Sequence, residues 1–222
     1  MSVPMCEPDI GESERRAVLE VLETPVLALG PRLAAFEGAV AARVGCAHGI
    51  GVNSGTSGLH LCLIAAGVDE GDVVVTTPFS FVASANAVLY QRARPVFVDV
   101  EPLALGIDPA ALADRVEHLV ARGERVRAIL QVHVFGQPCD MDPILAVARR
   151  HGLAVIEDAC EAIGASYRGR RAGALGDAGV FAFYPNKQMT TGEGGMIVTG
   201  DGGWAALCRS LRNQGRDVFD GW

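Results

Sequence analysis

Seven short apolar runs, interleaved with segments of helical character, constrain the fold more than any other feature of the sequence. They span Ile50–Asn53, Val73–Thr77, Val96–Val98, Val126–Val132, Ala154–Glu157, Gly179–Phe183 and Met196–Thr199. Several are near-continuous in apolar residues instead of alternating. That pattern suits strands buried on both faces, as in a parallel sheet covered by helices.

Helices are expected between the runs. Glu12–Leu22 carries apolar residues at 17, 18, 21 and 22, with Ser13 read as standing just before its first turn. Pro31–Val44 aligns Leu33, Phe36, Val40 and Val44 on one stripe and has proline in its first turn. Ser57–Gly67 is apolar nearly all round and closes on a C-cap glycine. Ser84–Tyr90, Pro109–Ala121 and Asp142–His151 follow, with Asp108 placed to cap one helix and Gly152 to end another. Strands alternating with helices define an α/β layered domain, and no linker divides the chain. Its 222 residues are enough to bury roughly 70% of the unfolded surface without covalent staples.

Charge and cysteine usage narrow the function classes. Nineteen basic residues against 26 acidic ones give a net charge of −7, the wrong sign for a nucleic-acid surface. No apolar run approaches the ~20 residues of a membrane span. The segment Met1–Arg16, with Pro4, Pro8 and scattered acids, has no apolar core of a signal peptide. Six scattered cysteines form no CxxC pair and no zinc-spaced cluster, so a cytoplasmic, reduced, metal-free chain is expected. Cys62 and Cys160, inside apolar stretches, read as small buried hydrophobes.

Four features could carry chemistry. Ser54-Gly55-Thr56-Ser57 stands between a strand and a helix, where free N–H groups and the positive end of the helix dipole favour phosphate. It is neither a dinucleotide fingerprint nor a Walker loop, and a plain capped turn would look the same. Lys187 lies in the Gly-rich stretch Phe183–Gly195 between two strands. It is the only lysine in the chain, all other basic residues being arginine. Partial desolvation there would favour the neutral amine, a nucleophile toward carbonyls; a surface turn is the alternative. Asp158 falls at a strand's carboxyl end, where α/β sheets place ligands, although a helix N-cap fits it equally. Phe79-Ser80-Phe81 offers an aromatic face for a planar ring or, more commonly, for the core. Together these are the parts needed to bind pyridoxal phosphate (PLP).

On these residues the chain resembles the DegT/DnrJ/EryC1/StrS family of PLP-dependent nucleotide-sugar aminotransferases, of the fold type I aminotransferase superfamily. The matching stretches include Ser54–Ser57, Thr77–Ala87, Gln131–Pro143, Val155–Ala165, Phe181–Thr199 and Leu211–Arg216, in family order. The resemblance implies a three-layer α/β/α large domain with a mostly parallel seven-stranded sheet. It would occupy residues 1–222, with an N-terminal helix and arm in 1–30. The smaller C-terminal domain of such enzymes would be missing, as in a fragment or truncated product.

The resemblance also implies roles. Lys187 would bond covalently to PLP, and Asp158 would pair with the pyridine nitrogen. Gly55, Thr56 and Ser57 would hold the phosphate, and Phe81 would stack on the ring. Glu161 would lie near the ring's phenolic oxygen, where a carboxylate is repelled unless protonated or turned away. Family members often carry a phosphate-binding serine five residues before the lysine. Here that residue is Ala182, with Tyr184 and Asn186 as candidate replacements and substrate contacts. The implied enzyme is a homodimer with its site at the interface. It would move an amino group, with glutamate as the implied donor, to a nucleotide-linked keto-sugar. A sugar dehydratase, an amino-acid lyase and a truncated PLP-binding domain without turnover are the alternatives.

Overall fold

The computed structural model describes residue 3 and residues 6–216. The outer bounds of a 1–222 domain, Pro4 and the end at Trp222 lie outside the described residues. The elements in order are α1 (Glu12–Leu22), α2 (Pro31–Val44), β1 (His48–Val52), α3 (Gly55–Ala65), β2 (Val73–Thr76), α4 (Ala83–Tyr90) and β3 (Arg94–Phe97). Then come α5 (Pro109–Ala121), β4 (Val126–Val132), α6 (Met141–His151), β5 (Ala154–Asp158), the short pair β6 (Ser166–Tyr167) and β7 (Arg170–Arg171), β8 (Ala178–Ala182), β9 (Gly195–Thr199) and α7 (Gly202–Arg212).

Seven strands form one sheet in the order β1-β9-β8-β5-β4-β2-β3. β8, β5, β4, β2 and β3 pair parallel, and β9 runs antiparallel to both β1 and β8. The expected mostly parallel seven-stranded sheet is therefore present. The near-continuous apolar runs have their physical reason in the two faces of this sheet. Val74, Leu130, Ile156, Val180 and Ile197 pack with Leu59 and Leu63 of α3, Val88 of α4 and Cys208 of α7. Their neighbours Val73, Val75, Ile129 and Val155 face the other way, against Leu112 and Val116 of α5 and Ile144 of α6. Phe181, Met196 and Val198 extend that second face beneath Val40 and Val44 of α2. Each fully buried side chain of this size contributes about 1.5–3 kcal/mol by removal from water.

Local sequence sets the helix boundaries. The Asp108 carboxylate accepts from the N–H groups of Ala110 and Ala111 and starts α5. Gly152 ends α6 in the left-handed region, with φ 64°. Two expectations are corrected. Helix α3 starts at Gly55 and not at Ser57, because Ser54 Oγ accepts from the Ser57 N–H at 3.1 Å and serves as the cap. Helix α1 is capped at Gly11, whose N–H donates to Glu14 at 2.8 Å, so Ser13 lies inside the helix. No helix among the described residues is long and apolar enough to cross a membrane.

Candidate active site

The carboxyl ends of β1, β8, β5, β4 and β2 lie on one edge of the sheet, and the singled-out residues follow these ends. Val52 of β1 leads through Ser54 into the first turn of α3. Gly55 sits where a Cβ would come within 2.8 Å of Cys160 Sγ and 2.9 Å of Ala182 Cβ. Any side chain there would push α3 away from the ends of β5 and β8, so the glycine sets the helix start against the strand ends. Thr56 and Ser57 occupy the next two positions of that turn, both partly exposed. Their hydroxyls and the unshared N–H groups of a helix start suit an anion.

Asp158 ends β5 and is only 7% exposed. Ser84 Oγ donates to its Oδ2 at 2.7 Å, and the Cys160 N–H reaches its Oδ1 at 3.3 Å. No helix follows Asp158, so the helix-cap alternative does not hold; residues 159–165 are turns and irregular backbone. Phe81 is 76% exposed and outside the core, which disposes of its core alternative. Phe79 stands edge-on to Phe135, with ring centroids 5.9 Å apart and an interplanar angle of 85°.

Lys187 is no loose surface lysine. Its side chain is 17% exposed, and Nζ donates to Glu161 Oε1 at 2.9 Å. Gln188 Nε2 donates to the Glu161 carbonyl, tying the lysine loop to the turn after β5. Glu161 Oε2 accepts from the Phe135 N–H at 3.0 Å. Burial opposes ionisation of Glu161, but the hydrogen bonds from Lys187 and Phe135 outweigh it and hold the carboxyl below the ordinary glutamate range. Phe135 makes its bond from a left-handed backbone with φ 53°, a conformation a bulky residue adopts only when its surroundings fix it. Tyr184 and Asn186 are exposed beside Lys187.

Beneath this edge lies a buried pair that sequence reading missed. His133 Nε2 meets Glu157 Oε2 at 2.8 Å with both side chains fully buried. The same carboxylate accepts the N–H groups of Gly173, Leu175 and Gly176. The His133 N–H donates to the Asp158 carbonyl at 3.0 Å, so the pair braces the strand end that carries Asp158. Ser84 was also missed as the partner of Asp158, and Ser80 as the partner of Ser84. Nothing in residue spacing signals contacts across 74 positions.

A helix start with free N–H groups, a buried strand-end carboxylate, an open aromatic face and a shielded lysine lie on one edge of a three-layer α/β domain. That arrangement defines a cofactor-type site at the strand ends. The chain belongs to the DegT/DnrJ/EryC1/StrS aminotransferase family, whose model matches residues 8–222. The family depends on pyridoxal phosphate. A GDP-perosamine synthase of Caulobacter vibrioides is 47% identical over 216 residues, covering 97% of this chain and 57% of the relative. A UDP-N-acetyl-3-dehydro-alpha-D-glucosamine 3-aminotransferase of Acidithiobacillus ferrooxidans is 42% identical, covering 88% and 52%. The crystallographically solved aminotransferase of Psychrobacter cryohalolentis superposes with a TM-score of 0.88 at 33% identity, covering 96% of this chain and 53% of that one. The chain thus spans about half the length of the relatives it matches.

Proposed function

We propose that this chain is the cofactor-binding large domain of a PLP-dependent sugar aminotransferase. The reaction moves an amino group, with glutamate as donor, onto a nucleotide-linked keto-sugar in amino-sugar or polysaccharide biosynthesis. The observation that carries the reading is the placement of the single lysine: shielded, ion-paired to Glu161 and on the same sheet edge as the strand-end carboxylate Asp158. The two curated relatives, one named for a GDP-linked and one for a UDP-linked sugar, support the substrate class.

The residues present fit the cofactor. Gly55 allows the backbone to approach closely, Thr56 offers its hydroxyl and N–H to the phosphate, and Ser57, whose N–H is taken by Ser54, offers its hydroxyl. Asp158 offers a carboxylate to the pyridine nitrogen, and Phe81 offers a ring face. When bound, the cofactor supplies an aldehyde that captures amines and a ring that withdraws electrons. Lys187 Nζ would hold the cofactor's aldehyde carbon, and as a free amine it would be the base that takes a proton from the donor's α-carbon. Glu161 holds that amine in place and balances its charge. With both oxygens engaged by Lys187 and Phe135, it is turned to the amine side of the site. Tyr184 and Asn186, exposed beside Lys187, would contact the substrate.

The protein acts in the cytoplasm, in keeping with the six free cysteines among the described residues. It pairs as a homodimer through exposed apolar residues such as Val18, Leu19 and Leu22 of α1. A visible-absorbance titration with PLP, before and after glutamate, tests the reading beside Lys187→Ala. A lysine-dependent visible band that glutamate bleaches supports it. A band insensitive to glutamate refutes the donor, and no band refutes cofactor binding by this chain.

A further inference from the structure

The Asp158 carboxylate is held from a second element by a chain of hydroxyls. Ser84, the second residue of α4, is 1% exposed. Its Oγ lies 2.7 Å from Asp158 Oδ2 and 2.7 Å from Ser80 Oγ. An ionised carboxylate only accepts, so the single Ser84 proton must point at Oδ2. The Ser80 contact must then be donated by Ser80. One chain of donors therefore runs Ser80 to Ser84 to Asp158, and its last link is charge-assisted. If Asp158 carries a proton, every link reverses. Ser84 then donates to Ser80, and Ser80 donates to the Phe81 carbonyl 3.1 Å away. Both arrangements use one proton per hydroxyl, and they differ at the backbone of the residue with the open aromatic face.

We propose that Ser84 is a positioning residue: it fixes the Asp158 carboxylate in the orientation that receives a protonated ring nitrogen. Through Ser80 it couples that carboxylate to the loop bearing Phe81. The inference rests on the reading that Asp158 faces the cofactor ring. Neither serine need touch the cofactor for this role. Ser84 is out of reach of solvent, so no water can replace its hydroxyl without a rearrangement of α4.

The test uses the full 222-residue chain with ring-15N-labelled PLP. It reads the nitrogen resonance and the PLP dissociation constant for the unaltered chain, Ser84→Ala, Ser84→Thr and Asp158→Asn. The unaltered chain is expected to show a protonated nitrogen, and Asp158→Asn an unprotonated one. Ser84→Ala is expected to move the resonance toward the unprotonated position and weaken PLP binding about tenfold or more, the effect of removing one charge-assisted bond. Ser84→Thr, which keeps the hydroxyl, is expected to restore both. If Ser84→Ala does not fold, Ser84→Cys, close in volume but a weak donor, is expected to shift the resonance in the same direction. A wild-type resonance in the folded Ala or Cys variant, with the shift present in Asp158→Asn, overturns the role of Ser84 alone. A wild-type resonance in Asp158→Asn, or no binding by the unaltered chain, overturns the underlying reading.

Discussion

Glu157→Gln isolates the buried brace beneath the site, and its cost follows from counting donors. Oε1 accepts from Leu175 at 2.6 Å and Gly176 at 2.8 Å. Oε2 accepts from Gly173 at 2.8 Å and meets His133 Nε2 at 2.8 Å. His133 Nδ1 accepts the Cys139 N–H at 3.3 Å, so the ring proton sits on Nε2 and points at the carboxylate. All four partners are donors. A glutamine has one accepting oxygen, and its NH2 must face two donors whichever way it turns. Switching the histidine proton to Nδ1 only moves the conflict to Cys139. Two hydrogen bonds to a charged acceptor are lost and two donors are stranded in the interior. The sum is about 3–5 kcal/mol. For a domain of this size that lowers the melting temperature by about 6–20 °C. Thermal and urea unfolding of the purified chain give the number directly. A loss under about 1 kcal/mol would refute the donor count, and with it the statement that Glu157 is an obligate acceptor.

Three further outcomes are expected. Ala182→Ser places a hydroxyl at the end of β8, next to the first turn of α3. It should tighten PLP binding about tenfold and leave binding of unphosphorylated pyridoxal unchanged; unchanged PLP affinity would show that Ala182 does not border the phosphate. Glu161 is held below the ordinary value of 4.5, so its pairing adds stability above about that pH and the addition disappears as pH falls through the lowered value. The advantage of the native chain over Glu161→Gln should therefore shrink from about pH 6 to about pH 3 in urea unfolding, and a constant gap would contradict it. Burial raises the thiols of Cys46, Cys62 and Cys160, and it pushes Cys139 up to about 12 and Cys208 up to about 11. A disulfide reagent at neutral pH should label exposed Cys6 fast and these five slowly, and fast labelling of two or more thiols would contradict the packing.

What could be read from the sequence follows from which forces are local. The apolar runs marked the seven strands because burial on both faces of most of them leaves few polar positions, Thr76, Gln131 and Glu157 among the exceptions. Pro31–Val44 and Pro109–Ala121 were legible to their ends, since proline, Asp108 and Gly45 act within a turn. Helix α7 was missed: it opens on two glycines, Gly202 and Gly203, and its buried residues, Ala205, Cys208 and Ser210, are small. The β6–β7 hairpin is held by strands of two residues, too short for any period to show. In the site, Lys187 and Asp158 stood out by residue type and position. Their partners did not, because they arise from strand register and layer packing. Val132 pairs with Asp158 across β4 and β5, and that register brings His133 to the end of β5. Ser84 arrives from α4 on one side of the sheet and Phe135 from the turn after β4. The ion pair of Lys187 with Glu161 depends on how the loop after β8 folds back over the turn after β5.

The most direct test of the central claim is borohydride reduction of the chain mixed with PLP, followed by peptide mapping. With a single lysine in 222 residues, the outcome is unambiguous. The account predicts one pyridoxyl group on the peptide that carries Lys187, and none after Lys187→Ala. Absence of the adduct, or labelling of the terminal amine alone, would contradict it.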